Sequence, residues 1–115
     1  MSRRILVVDD SPHVREMLVQ RLRTRGHVVE GADSGKEALE RLTNARFDFL
    51  VLDLIMPKHS GIDVLNALAE QTNGGMRCIV MSGVAELWKK ANPTVPVAGV
   101  LQKPFAFEEL LKLIA

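Results

Sequence analysis

Two adjacent aspartates, Asp9 and Asp10, close the first apolar run of this 115-residue chain, and a third, Asp53, closes another. Both runs, Ile5–Val8 and Phe49–Leu52, are short, unbroken and bounded by turn residues. Strands buried on both faces of a parallel sheet read this way. Acids at the ends of such strands gather where a doubly wound sheet keeps its ligand crevice. Three carboxylates there repel one another, at roughly 3 kcal/mol per pair for an effective dielectric near 20 and a separation near 5 Å. A positive partner is required, and a hard cation such as Mg²⁺ is the natural one. Two more apolar runs close on Ser82, followed by Gly83, and on Lys103, followed by Pro104. Three acids, a hydroxyl and an amine at strand ends suit phosphoryl chemistry. A cation and an ammonium neutralise phosphoryl oxygens, a hydroxyl donates to them, and a carboxylate serves as nucleophile.

These residues depend on the elements that carry them. Arg4–Val8 reads as a strand. Ser11 caps a helix that has Pro12 at its first position, where a missing N–H does no harm. Val14, Met17, Leu18 and Leu22 recur at helical spacing, and Gly26 ends that segment. His27–Glu30 is a short second strand. Ser34-Gly35-Lys36-Glu37 forms a capping box before Ala38, Leu39 and Leu42. Phe47–Leu52 is the third strand. Met56–Ser60, with Pro57, is a loop leading through Gly61 into a helix with Ile62, Leu65, Leu68 and Ala69 on one face, and Asn73-Gly74-Gly75 is a second loop. Cys78–Met81 and Val97–Leu101 are the fourth and fifth strands, and Phe107, Leu110, Leu111 and Ile114 stripe a last helix. Between those strands, Val84–Lys90 suits a helix, but Pro93 and Pro96 follow, so this element is short, shifted or irregular. Strands interleaved with helices predict an α/β domain with a parallel sheet and helices on both faces. The length suits one domain over residues 1–115.

Composition removes several classes of function. A formal net charge of +1 gives no general attraction to nucleic acid or membranes. Aromatic residues, at 4%, are too scarce for a nucleic-acid stacking surface. Met1-Ser2-Arg3-Arg4 resembles the start of a secretory signal, but only four apolar residues separate it from two aspartates. No apolar run reaches membrane-spanning length. The lone Cys78, inside an apolar run, reads as a buried inert thiol in a reducing compartment. A cytoplasmic protein is expected. His13 and His59 read as surface residues, without a third ligand at metal spacing, and His27 as the opening of the second strand. Arg15, Arg21, Arg23 and Arg25 read as a solvated helix face, the alternative being a docking surface for an acidic partner. Neither nucleotide-binding motif, GxGxxG or GxxxxGK[ST], occurs.

The whole chain resembles the receiver domain of two-component response regulators, of the chemotaxis-regulator type. The residues that carry the likeness are Val7-Val8-Asp9-Asp10-Ser11, Leu52-Asp53-Leu54-Ile55-Met56-Pro57 with Gly61 downstream, Met81-Ser82-Gly83, and Lys103-Pro104-Phe105. Taken singly, each has an ordinary reading: turn acids, a loop hydroxyl, a surface lysine. Their joint placement at strand ends outweighs those readings. The resemblance implies a flavodoxin-like, doubly wound, five-stranded sheet in the order 2-1-3-4-5. It implies that Asp53 accepts a phosphoryl group from a histidine kinase or histidine phosphotransfer protein. Asp10 and Asp53 would ligate Mg²⁺ directly with the backbone carbonyl of Ile55, and Asp9 through water. Ser82 would hydrogen-bond the phosphoryl group and Lys103 would pair with it. The Lys103–Pro104 bond would be cis and would aim the lysine inward.

One position departs from the family. Most receivers carry Tyr or Phe three residues before the lysine as a rotating switch, and here that residue is Val100. The resemblance therefore implies an intact pocket whose output face responds weakly or differently. The alternative is a pseudo-receiver, a phosphorylation-independent interaction module. An aspartyl-phosphate phosphatase is disfavoured, because its nucleophile sits in a DxD arrangement on the first strand. A downstream protein target is expected. The chain is either a stand-alone receiver or one cut from a longer protein.

Overall fold

The computed structural model describes residues 2–54, 76–83 and 97–114. Its elements are β1 (Arg4–Val8), α1 (Pro12–Thr24), β2 (Val28–Ala32), α2 (Gly35–Asn44), β3 (Phe49–Asp53), β4 (Arg77–Ser82), β5 (Val97–Gln102) and, last, α3 (Phe107–Ile114). The expected helix at Ile62–Ala69, the loops on either side of it, Ile55, His59, the Val84–Lys90 segment, Pro93 and Pro96 lie outside the described residues.

The five strands form one parallel sheet in the order β2-β1-β3-β4-β5. Alternation along each strand divides the core between two faces. Leu6, Val8, Leu50, Leu52, Cys78 and Val80 pack on one side with Ala38 and Leu42 of α2. Ile5, Val7, Phe49, Val51, Ile79 and Met81 pack on the other with Leu18 and Leu22 of α1 and with Phe107, Leu110 and Ile114 of α3. Helices therefore cover both faces, and the central strands read as continuous apolar runs for that reason. Burial pushes the Cys78 thiol up to about 12, so the inert reading stands.

Local chemistry sets the helix ends. Ser11 Oγ accepts the Val14 N–H at 3.4 Å, and Pro12 occupies the first turn. Gly26 follows α1 with φ of 89°, a backbone angle that side chains disfavour. Ser34 Oγ accepts the Glu37 N–H at 3.2 Å. Glu37 itself pairs with Arg41 at 3.1 Å, one turn along α2. Strand β2 starts and ends later than the hydrophobic pattern suggested. His27 stands before it, where its Nδ1 accepts the Arg3 N–H at 3.1 Å.

Arg21, Arg23 and the C-cap Arg25 are exposed, as the surface reading expects, but the three arginines within α1 also make contacts with other residues. Arg23 donates from Nε and Nη2 to the Val29 carbonyl, at 3.1 and 2.7 Å. Arg21 lies 4.4 Å from the Phe107 ring centroid, joining α1 to α3 through a cation–π contact. Arg15 Nη1 donates to the Asp9 carbonyl at 2.9 Å.

Candidate functional site

Sheet order and register bring the strand-end residues together. The chain passes from β1 out to β2, then returns to place β3 on the other flank of β1. The strand order reverses at that point, so the connections leave β1 and β3 to opposite sides and open a crevice at the carboxyl ends. Val8 stands opposite Leu52, so the next residues, Asp9 and Asp53, emerge side by side. Asp53 pairs with Met81 in β4, and Ser82 pairs with Gln102 in β5. The Lys103 N–H donates to the Ser82 carbonyl at 2.9 Å, which carries the lysine to the same edge.

One carboxylate oxygen from each of Asp9, Asp10 and Asp53 lies within 4.8 Å of the others. Asp9 is completely buried, Asp53 is 5% exposed and Asp10 faces solvent. Asp9 is fully engaged. Its N–H donates to Ala32 O at 3.2 Å, and its carbonyl accepts from Arg15. Its Oδ1 accepts the Ser11 N–H at 2.9 Å, and its Oδ2 accepts from Lys103 Nζ at 2.8 Å. The same ammonium reaches Asp53 Oδ2 at 3.1 Å. Burial works against the charged lysine, but hydrogen bonds to Asp9 and Asp53 outweigh it and hold Lys103 above its ordinary value. Ser82 is buried at 1% exposure. The Lys103–Pro104 bond is cis and Pro104 is exposed.

Asp9, Asp10, Asp53, Ser82, Lys103 and Pro104 thus stand at or just beyond the carboxyl ends of β1, β3, β4 and β5. Val100 lies on β5 opposite Val80 and is 39% exposed. His13 is exposed on the first turn of α1. Arg15 is the residue that sequence reasoning assigned to solvent and that the fold brings to the site. Its only sequence signal is its place one turn into the helix that follows the acids.

The three acids offer oxygen donors alone, the set that a hard divalent cation such as Mg²⁺ takes. A family model for the response regulator receiver domain matches residues 5–115. The chain belongs to the response regulator receiver family. Such receivers are the switch domains of two-component signalling systems. This receiver is 41% identical over 112 residues to the response regulator MprA of Mycobacterium ulcerans, covering 96% of this chain and 48% of MprA. It therefore spans about half the length of the curated relatives it matches. Among solved structures, the chemotaxis protein CheY4 of Vibrio cholerae aligns with a TM-score of 0.88 at 32% identity, covering 99% of this chain and 97% of CheY4. The response regulator TrrA of Thermotoga maritima, solved in complex with Mg²⁺-BeF, aligns at 0.82 and 29% identity, covering 97% and 96%. No described helix is long and apolar enough to cross a membrane.

Proposed function

We propose that this receiver is a phosphoacceptor in a two-component relay, with Asp53 as the residue modified. The donor is the phosphohistidine of a histidine kinase or a histidine phosphotransfer protein. A carboxylate oxygen of Asp53 attacks phosphorus, and the P–N bond breaks with its electron pair left on the imidazole. The product is an acyl phosphate on Asp53. Hydrolysis later returns the carboxylate and releases phosphate.

The observation that carries this reading is the meeting of three carboxylates within 4.8 Å, two of them bridged by one ammonium. Like charges persist that close only where positive charge can join them. Asp9, Asp10 and Asp53, with the Ile55 carbonyl, would hold Mg²⁺, in keeping with the Mg²⁺-BeF complex of TrrA. The ion, when bound, supplies neutralisation of the phosphoryl oxygens. Lys103 already touches Asp53 and needs only a small shift to meet new oxygens there. Ser82, at the end of β4, has a hydroxyl suited to donating a hydrogen bond to them. Phosphorylation would alter a protein-binding surface for a downstream target in the cytoplasm, with neither nucleic-acid binding nor membrane insertion by this domain.

Intact mass after incubation with Mg²⁺ and a small-molecule phosphodonor tests the reading. The wild-type chain should gain one phosphoryl group and Asp53→Asn none. A wild type that gains nothing would replace this reading with the phosphorylation-independent interaction module.

A further inference from the structure

We propose that Arg15 is a positioning residue for the acidic pair, fixing where the Asp10 carboxylate points by holding the carbonyl of Asp9. This inference rests on the reading of the acids as a Mg²⁺ site. The Asp9 carbonyl belongs to the same rigid plane as the Asp10 N–H, because the peptide bond does not rotate. Whatever grips that carbonyl therefore sets the backbone direction at which Asp10 begins. Arg15 Nη1 grips it at 2.9 Å. The other three polar groups of Asp9 are held by Ala32, Ser11 and Lys103. The Ala32 and Lys103 contacts fix the amide and the carboxylate of Asp9, and the Ser11 bond closes a turn that spans the Asp9–Asp10 peptide. Arg15 adds the one direct hold on the carbonyl of that peptide plane among the described contacts.

The neighbouring strand makes room for this grip. A Cβ built on Gly31 would stand 3.2 Å from both Cγ and Cδ of Arg15. The arginine stem thus lies across bare backbone of β2 on its way to Asp9. A branched side chain at residue 31 would push the stem aside while leaving the charge of Arg15 in the molecule.

Electrostatics and positioning predict opposite signs, which makes the proposal testable. If Arg15 acted on the site by charge alone, removing a cation beside three acids would tighten Mg²⁺ binding. If it positions Asp10, removing it weakens binding, by about 10-fold on the scale of residues that orient metal ligands. The experiment titrates MgCl₂ into wild type, Arg15→Met, Arg15→Lys and Gly31→Val, following the amide shifts of Asp10 and Asp53. Folding of each variant is checked from its amide dispersion. Arg15→Met and Gly31→Val should both bind about 10-fold more weakly, with Arg15→Lys between them and wild type. Arg15→Met binding as tightly as wild type, or more tightly, overturns the inference while leaving the metal reading in place. A wild type that shows no Mg²⁺-dependent shift overturns both.

Discussion

Lys103 Nζ lies 3.1 Å from Asp53 Oδ2, across 50 residues of sequence. The same ammonium lies 2.8 Å from the fully buried Asp9. Lys103 is therefore engaged before any phosphoryl group arrives, rather than idle until then.

Replacing it leaves a buried carboxylate without its counter-charge. Lys103→Met should destabilise the magnesium-free protein by about 3 kcal/mol, the lower end for breaking a buried pair. Mg²⁺ should restore much of that loss and bind about tenfold more tightly than in wild type, because it no longer competes with an ammonium. Urea unfolding with and without MgCl₂ measures both. The stabilisation from Lys103 is present at neutral pH. With its folded pKa raised, it is lost only as pH climbs through that value, beyond the ordinary lysine range.

Asp10 has a different balance, because it is exposed while Asp9 and Asp53 are buried. Asp10→Asn should abolish the Mg²⁺ response. It should also raise the stability of the metal-free protein by about 1 kcal/mol, since it relieves repulsion that solvent only partly screens. Melting temperatures in EDTA, set beside those in MgCl₂, report both effects. A loss of stability in EDTA would give Asp10 a structural role instead.

His27 sits at the opposite end of the sheet and makes a pH-dependent contact. Its Nδ1 accepts the Arg3 N–H, which a protonated ring cannot do. Burial first, then nearby positive charge including Arg3, holds its pKa below 6.5. A depressed folded pKa favours the neutral form in the native state. The resulting stability is present above the unfolded value and is lost as pH falls towards the folded one. Urea midpoints taken from about pH 7.5 down to about pH 5 should fall more steeply in wild type than in His27→Gln. Parallel slopes would remove His27 from the account.

Much of this arrangement was legible because parallel strands buried on both faces cannot hide their pattern. The runs ending at Asp9, Asp53, Ser82 and Lys103 marked both the sheet and the site, and Ser11 and Ser34 marked the helix starts. The arginines were illegible for a physical reason. A side chain that reaches a carbonyl or a ring on another element leaves no periodic trace, so the contacts of Arg15, Arg21 and Arg23 did not stand out from surface charge. The ends of β2 were blurred similarly. Gly31 weakens the strand signal, and the stem of Arg15 that lies 3.2 Å from where its Cβ would stand is visible only once α1 is packed on β2.

The lysine follows an edge strand, β5, and reaches back past β4 to acids at the ends of β3 and β1, one of them 94 residues earlier. During synthesis the ribosome delivers both aspartates long before their partner exists. The ion pair that compensates the buried Asp9 then forms only once Lys103 has emerged. Sealing the sheet's outer margin and quieting the charge at its centre are one event in the life of each molecule.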